Sequence, residues 1–186
     1  GSALGMDKIA MKLIFSHLKI PQVKFLIIEN KKLDNLKVIC DQIVKKLDFP
    51  LFIKPANSGS SIGISKVINK SDICRALQKA KSIDSRIIVE EGLDVRELEV
   101  GIVGRRNLTA SEVGEVSYKS DWYDYDSKYK TKNKITIPAN INTELRDKIQ
   151  TLSIKSCLAL NIKVFARVDF FLEKATNKIY LNEINT

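Results

Sequence analysis

The end of the chain limits its fold most. Residues 164–173 (VFARVDFFLE) and 178–186 (KIYLNEINT) flank a short polar stretch, Lys174-Ala175-Thr176-Asn177. Both flanks are rich in β-branched and aromatic residues, and four turn-forming residues join them, so the segment reads as a β-hairpin. Side chains alternate along a strand. Val168, Phe170 and Leu172 therefore take one face, and Arg167, Asp169 and Phe171 the other. On the returning strand Leu181, Glu183 and Asn185 are expected to share a face. Folding about Thr176 sets Asp169 opposite Glu183 and Arg167 opposite Asn185. Facing carboxylates repel, and a cation between them removes that cost. Asp, Glu and Asn oxygens suit a hard ion such as Mg²⁺, which completes its shell with water and phosphate. Two readings stand at this point: half of a cation–phosphate site with Arg167 beside it, or a solvated polar face with ordinary cross-strand pairs.

The 186 residues allow one large domain or two small ones, and a hydrophobic content of 44% is enough to build a core. The formal charge of +9 suits a polyanionic partner such as nucleic acid, an anionic surface or nucleotide phosphate. Many of the lysines, including Lys45, Lys46, Lys79 and Lys81, fall on helix surfaces, and solvation alone accounts for most of the excess. Cys40, Cys74 and Cys157 are odd in number and far apart in sequence. That pattern fits reduced, buried thiols in a cytoplasmic protein better than a disulfide framework. His17 is the only histidine, which excludes a His-rich metal site. No leader pattern and no apolar run near 18 residues directs the chain to a membrane.

In chain order, apolar spacing predicts a helix over 6–18 with Lys8 in its first turn, a strand over 24–29 and a helix over 34–47. A short buried strand follows at 51–54. The next stretch, Pro55-Ala56-Asn57-Ser58-Gly59-Ser60-Ser61-Ile62-Gly63, is small and rich in hydrogen-bond donors. No Gly-Lys-Ser/Thr follows it and no helix opens at its glycines, so it is neither a Walker A loop nor a Rossmann turn. With a strand over 64–67 it reads as a hairpin flap able to fold over phosphates, or as an ordinary hairpin tip. Ser71 is a candidate N-cap for a helix carrying Ile73, Ala76, Leu77 and Ala80. Residues 86–91 read as a buried strand ending in Glu90 and Glu91. Residues 96–104 and 108–116 read as an antiparallel pair in which Glu97 and Glu99 share a face. Residues 118–134 hold four of the five tyrosines and the tryptophan without helical or strand period, the mark of a functional loop. A strand over 135–139 and a helix over 143–161 lead to the terminal hairpin.

Taken together and in order, these stretches resemble a known family. They are Ser2-Ala3-Leu4-Gly5-Met6-Asp7-Lys8, Lys54-Pro55 leading to Gly59-Ser60-Ser61-Ile62-Gly63, and Glu90-Glu91 before Arg96-Glu97-Leu98-Glu99-Val100. Tyr123-Asp124-Tyr125-Asp126-Ser127-Lys128-Tyr129, Ala166-Arg167-Val168-Asp169-Phe170-Phe171 and Asn182-Glu183-Ile184-Asn185-Thr186 complete the series. The chain resembles the ATP-grasp ligases, and within them the D-alanine–D-alanine ligase family. The resemblance implies an α+β (α/β) ATP-grasp fold, with two α+β subdomains that hold the nucleotide between them. Residues 1–93 would form the central subdomain with its flap at 57–63. Residues 94–186 would form the C-terminal subdomain with loop 118–134 and a metal-binding hairpin at 164–186.

The resemblance also implies a reaction. ATP phosphorylates the carboxylate of one D-alanine, the amine of a second attacks the acyl phosphate, and phosphate leaves; the dipeptide goes into peptidoglycan. Lys8 and Lys54 match phosphate-binding lysines, with Ser60 and Ser61 in the flap over the nucleotide. Glu90, Glu91 and Leu93 match the adenine-binding segment, and Glu97 the ribose-binding acid. Asp169, Glu183 and Asn185 match ligands of Mg²⁺ (or Mn²⁺). Arg167 matches the arginine that stabilises the tetrahedral oxyanion, and Lys128 a loop lysine that contacts the transferring phosphate. Ser60 and Tyr129 match a hydrogen-bonded pair that links flap and loop, and the Tyr-Asp-Tyr-x-x-Lys-Tyr pattern points to amide formation. The implied partners are small molecules, D-alanine and ATP, with no nucleic acid and no membrane; the full-length protein of this family is commonly a homodimer. The family's N-terminal domain and its residues beyond Asn185-Thr186 lie outside this sequence, so the expectation is an ATP-binding half with little or no ligase activity alone. Three other readings stay open: another ATP-grasp carboxylate–amine or D-alanine–D-lactate ligase, a basic nucleic-acid-binding module using the Tyr/Trp/Lys loop, and a folded fragment without activity.

Overall fold

The computed structural model describes residues 1–29, 35–59, 61–117 and 134–186. In chain order the elements are α1 (Ser2–Met6), α2 (Lys8–His17), β1 (Phe25–Glu29), α3 (Leu36–Lys46), β2 (Leu51–Pro55), β3 (Ser65–Val67), α4 (Ile73–Lys81), β4 (Arg86–Glu91), β5 (Val95–Gly104), β6 (Thr109–Ala110), β7 (Gly114–Ser117), β8 (Lys134–Thr136), α5 (Thr143–Ala159), β9 (Val164–Glu173) and β10 (Ile179–Asn185). They form a mixed α/β structure with two antiparallel sheets. The chain divides into a smaller unit, Val23–Leu93, and a larger one, Gly1–Gln22 with Asp94–Thr186.

In the smaller unit the strands run β1-β4-β2-β3. Period-2 alternation along β2 and β4 turns Leu51, Ile53, Ile87 and Val89 to one face, where Ile39 and Ile43 of α3 and Ile73, Leu77 and Ala80 of α4 pack on them. Burying each of these leucine, isoleucine and valine side chains contributes about 1.5–3 kcal/mol. Asn35 starts α3 by accepting the Val38 N–H at 3.3 Å. The expected Ser71 cap is corrected. Ser71 lies in a 3₁₀ turn, Lys70–Asp72, and its hydroxyl turns back to the Asn69 side chain, so α4 begins at Ile73. β2 and β3 pair antiparallel, which makes the Gly/Ser segment a hairpin connection. Gly63 needs to be glycine there: its φ is +75°, and a Cβ would lie 2.8 Å from Pro55 Cγ and 2.3 Å from Ile83 Cδ1.

In the larger unit the order is β10-β9-β5-β7-β8, with β6 also on β5. β5 and β9 pair along their whole length, from Val95 opposite Glu173 to Gly104 opposite Val164. Leu98, Val100, Ala166, Val168, Phe170 and Leu172 point to one face, beneath Ile149, Cys157 and the following Leu160 at the α5 end. Met11 and Phe15 of α2 join this core, and α1 packs on β10. The opening residues therefore belong with this unit, not with the smaller one as expected. Their apolar face is matched by long-range packing that local sequence does not encode. The predicted helix over 6–18 starts at Lys8 and ends at His17, because Asp7 leaves the helical path and accepts the Ile9 and Ala10 N–H groups at 3.0 Å; Met6 ends the separate helix α1. The expected strand over 108–116 is broken into β6 and β7 at Ser111, whose hydroxyl accepts the Gly101 N–H at 2.9 Å. The expected strand over 135–139 stops at Thr136, ahead of Pro138.

The terminal hairpin forms, and its register carries a correction. Near the turn Ile179 faces Leu172 and Leu181 faces Phe170. Beyond a bulge between Leu181 and Glu183, Glu183 faces Asp169 and Asn185 faces Arg167. The one extra residue is Asn182. Leu181 consequently lies on the core face, at 1% exposure, and does not share a face with Glu183 and Asn185. The expected pairing about Thr176 holds from the bulge onward and not before it.

Cys40, Cys74 and Cys157 are free thiols. Burial pushes Cys40 up to about 12, reinforced by contact with Cys74, and Cys157 up to about 11. Among the described residues no helix is long and apolar enough to cross a membrane.

Candidate functional site

The larger unit gathers acids and one arginine on the sheet face opposite its core. Alternation along β9 puts Arg167 and Asp169 there, and the Asn182 bulge brings Glu183 and Asn185 to the same face. The β5–β9 register sets Glu99 opposite Asp169 on the other flank, with Glu97 two residues away opposite Phe171. Asp169 is thus the middle of three acids across three strands. Its carboxylate is fully engaged: Arg167 Nε donates to Oδ1 at 2.7 Å, Arg167 Nη2 to Oδ2 at 2.8 Å, and Asn185 Nδ2 to Oδ2 at 2.9 Å. Arg167 Nε also lies 3.4 Å from Glu99 Oε1.

Burial pushes Asp169 up to about 7. Arg167 opposes that rise, while Glu183 and Glu99 add to it. Asp169 in turn holds the Arg167 guanidinium above its ordinary value. A carboxylate that burial and two neighbouring acids make costly to ionise is one that a bound cation would stabilise. The donor chemistry fits Mg²⁺: two facing carboxylates and an amide whose nitrogen is spent on Asp169, leaving Asn185 Oδ1 as an acceptor. Among the described residues no three His, Cys, Asp or Glu side chains converge as a metal cluster. Asp169, Glu183 and Asn185 are the residues that could hold such an ion, with Arg167 lying on Asp169.

The smaller unit brings together a second group. Phe52 faces Glu90 across β2 and β4. Lys54, two residues on, reaches back over the Phe52 ring at 5.8 Å from its centre and pairs with Glu90. The side chains of Lys54 and Glu90 are 13% and 3% exposed, so this ion pair is nearly sealed. Glu91 points elsewhere: its Oε1 accepts the Asp48 N–H at 3.0 Å and meets Lys24 Nζ at 3.2 Å. Its carboxylate ties β4 to the chain ahead of β2 and to the chain ahead of β1. Leu93 closes this unit, and Ser61 sits in the flap with φ +60°. The flap is anchored through Asp84 Oδ2, which accepts both the backbone N–H and the side-chain N–H of Asn57 at 3.0 and 2.9 Å.

Lys8 occupies the first turn of α2, in the larger unit, directly after the Asp7 cap. Ser60, Lys128 and Tyr129 lie outside the described residues. Sequence reasoning passed over Glu99 and Asp84. Glu99 carried one signal, its shared face with Glu97, but only the β5–β9 register puts it beside Arg167. Asp84 sits in a polar turn and announces nothing until the flap folds onto it.

Residues 14–186 match the family model described as "D-ala D-ala ligase C-terminus". A curated D-alanine–D-alanine ligase of Prochlorococcus marinus (strain MIT 9312) is 64% identical over 189 aligned positions, covering all of this chain and 53% of that protein. The chain thus spans about half the length of the curated relatives it matches. Among solved structures, the VanG D-Ala:D-Ser ligase from Enterococcus faecalis superposes with a TM-score of 0.86 at 34% identity, over 99% of this chain and 53% of the other. The D-alanyl-alanine synthetase A from Vibrio cholerae superposes with a TM-score of 0.83 at 29% identity, over 99% and 56%.

Proposed function

The chain belongs to the D-ala D-ala ligase C-terminus family, and we propose that it carries the ATP- and Mg²⁺-binding part of an enzyme that joins two D-alanines for peptidoglycan. The observation that carries this reading is the alignment of Asp169 with Glu183 across the bulged hairpin, with Arg167 and Asn185 beside them. In the proposed reaction ATP gives its terminal phosphoryl group to a D-alanine carboxylate, the amine of a second D-alanine attacks the acyl carbon, and phosphate departs. Lys54 and Lys8 bind phosphate, Glu90 and the Glu91–Leu93 backbone take the adenine, and Glu97 takes the ribose. Asp169, Glu183 and Asn185 hold the Mg²⁺, which when bound neutralises charge on the nucleotide phosphates. Arg167 stabilises the oxyanion of the tetrahedral intermediate with its positive charge. Ser60, Ser61, Lys128 and Tyr129 are assigned to flap and loop positions that exclude water from the acyl phosphate. The setting is cytoplasmic, the partners are small molecules and not nucleic acid or membrane, and the full-length protein is a homodimer.

Calorimetric titration of the chain with ATP tests this, with and without Mg²⁺ and repeated on Glu183→Gln. Mg²⁺-dependent binding lost in the variant is the expected result. Binding of an oligonucleotide that weakens steeply with salt and needs no Mg²⁺-ATP would replace this reading with the nucleic-acid one. The D-Ala:D-Ser ligase neighbour gives a second reading for the acceptor. The full-length protein should prefer D-alanine to D-serine, and dipeptide analysis with both amino acids present decides between them.

A further inference from the structure

We propose that Glu99 is a positioning residue which takes Arg167 over from Asp169 when the hairpin binds its cation; this rests on the metal reading of the hairpin given above. Asp169 cannot serve a cation well in the arrangement seen here. Both of its oxygens accept from Arg167, and one accepts from Asn185 as well. A divalent cation on Asp169 and Glu183 would sit close to the guanidinium, and like charges at such separations repel strongly in a half-buried site. Arg167 must therefore leave Asp169, and where it goes decides whether its charge stays at the site.

The sheet register supplies the answer. Asp169 has an acid on each flank: Glu183 on β10 and Glu99 on β5. Glu183 is taken up by the cation. Glu99 already lies 3.4 Å from Arg167 Nε, beyond hydrogen-bond length for a good pair but within a small side-chain rotation of one. Its side chain is 28% exposed, against 15% for Asp169, so it is the easier of the two to reach. Glu99 also stands on the strand paired with β9 along its full length, so its backbone is fixed relative to Arg167. Transfer to Glu99 keeps the guanidinium on the sheet face instead of releasing it to solvent. Without Glu99, cation binding costs Arg167 its only other carboxylate contact among the described residues.

A double-mutant cycle on this chain tests the proposal, with Mn²⁺ as the probe and water-proton relaxation as the readout. Glu99→Gln should weaken Mn²⁺ binding about tenfold in the wild-type background and by less than about twofold in Arg167→Ala, because the effect runs through the arginine. Arg167→Ala alone should tighten Mn²⁺ binding. An equal or larger loss on Glu99→Gln in the Arg167→Ala background overturns the proposal and makes Glu99 a direct ligand or a simple field effect. No loss in either background overturns it as well. Mn²⁺ binding that survives Glu183→Gln, or its absence from the wild-type chain, overturns the metal reading and this proposal with it, and so separates the two failures. A second readout follows the arginine itself: on Mg²⁺ addition the Arg167 Nε–H NMR signal should shift and stay protected from exchange in the wild type, and broaden in Glu99→Gln. An unshifted signal in the wild type at saturating Mg²⁺ counts against the transfer.

Discussion

Two ion pairs, one on the sheet of each unit, are built differently. Lys54 and Glu90 in the smaller unit are almost sealed from water, and an aromatic ring underlies the lysine. Arg167 and Asp169 in the larger unit leave the arginine 45% exposed, with a second acid within reach. A sealed pair is held by the desolvation each partner would suffer alone. A pair whose arginine is half exposed and has a second acid within reach can be exchanged. The smaller unit thus presents a fixed charge arrangement to whatever approaches it, and the larger unit an adjustable one.

The contrast is sharpest on removing one cation from each. Lys54→Met leaves Glu90 buried without its lysine and should cost about 3–5 kcal/mol of stability in the smaller unit, read by urea denaturation. Lys54→Met with Glu90→Leu should recover most of that loss. A cost below about 1 kcal/mol for the single variant would show the pair to be as open as its counterpart. Asp84 gives an intermediate case. Burial raises its carboxyl, but the hydrogen bonds from the Arg86 N–H and from Asn57 outweigh that and hold it below the ordinary 3.8. A lowered carboxyl stabilises the fold above its unfolded value and ceases to do so as pH falls through the folded one. Asp84→Ala should therefore cost about 1 kcal/mol near neutral pH, and the difference in denaturation midpoint should shrink as pH falls below 3.8. The smallest effect belongs to Arg167→Ala, expected to cost less than about 1 kcal/mol because the guanidinium is half exposed and Asp169, although buried, keeps the hydrogen bond from Asn185. A loss as large as that of Lys54→Met would erase the distinction between the two pairs.

Much of this was legible from residue order, for reasons that can be stated. Strict alternation in VFARVDFFLE separated Arg167 and Asp169 from Val168, Phe170 and Leu172, and the structure keeps that division. Apolar spacing located α3, α4 and α5, since each buries one stripe against a sheet. What stayed hidden depends on contacts between distant segments. The attachment of residues 1–22 to the larger unit rests on Met11 and Phe15 joining its core, on α2 packing on α5 and on α1 packing on β10, all far along the chain. The bulge at Asn182 is a backbone event, and an asparagine between Leu181 and Glu183 does not distinguish a bulged strand from a regular one. Glu99 looked like a solvent-facing acid because its neighbour in space, Arg167, is 68 residues on in the numbering. Ser71 shows the reverse failure: a favourable capping residue was overruled by a side chain two positions earlier.

The bulge also divides the labour within the hairpin. The turn is closed by the Glu173 N–H bonded to Lys178 O and the Asn177 N–H to Glu173 O, and Lys174 ties it to Asp94 ahead of β5. The residue of slack at Asn182 stands between that closure and the acids. The tip of the hairpin and its functional stretch therefore answer to separate constraints. Residues 175–177 are thus where a loop exchange, or a reporter group spliced in, is expected to leave the alignment of Asp169 and Glu183 intact.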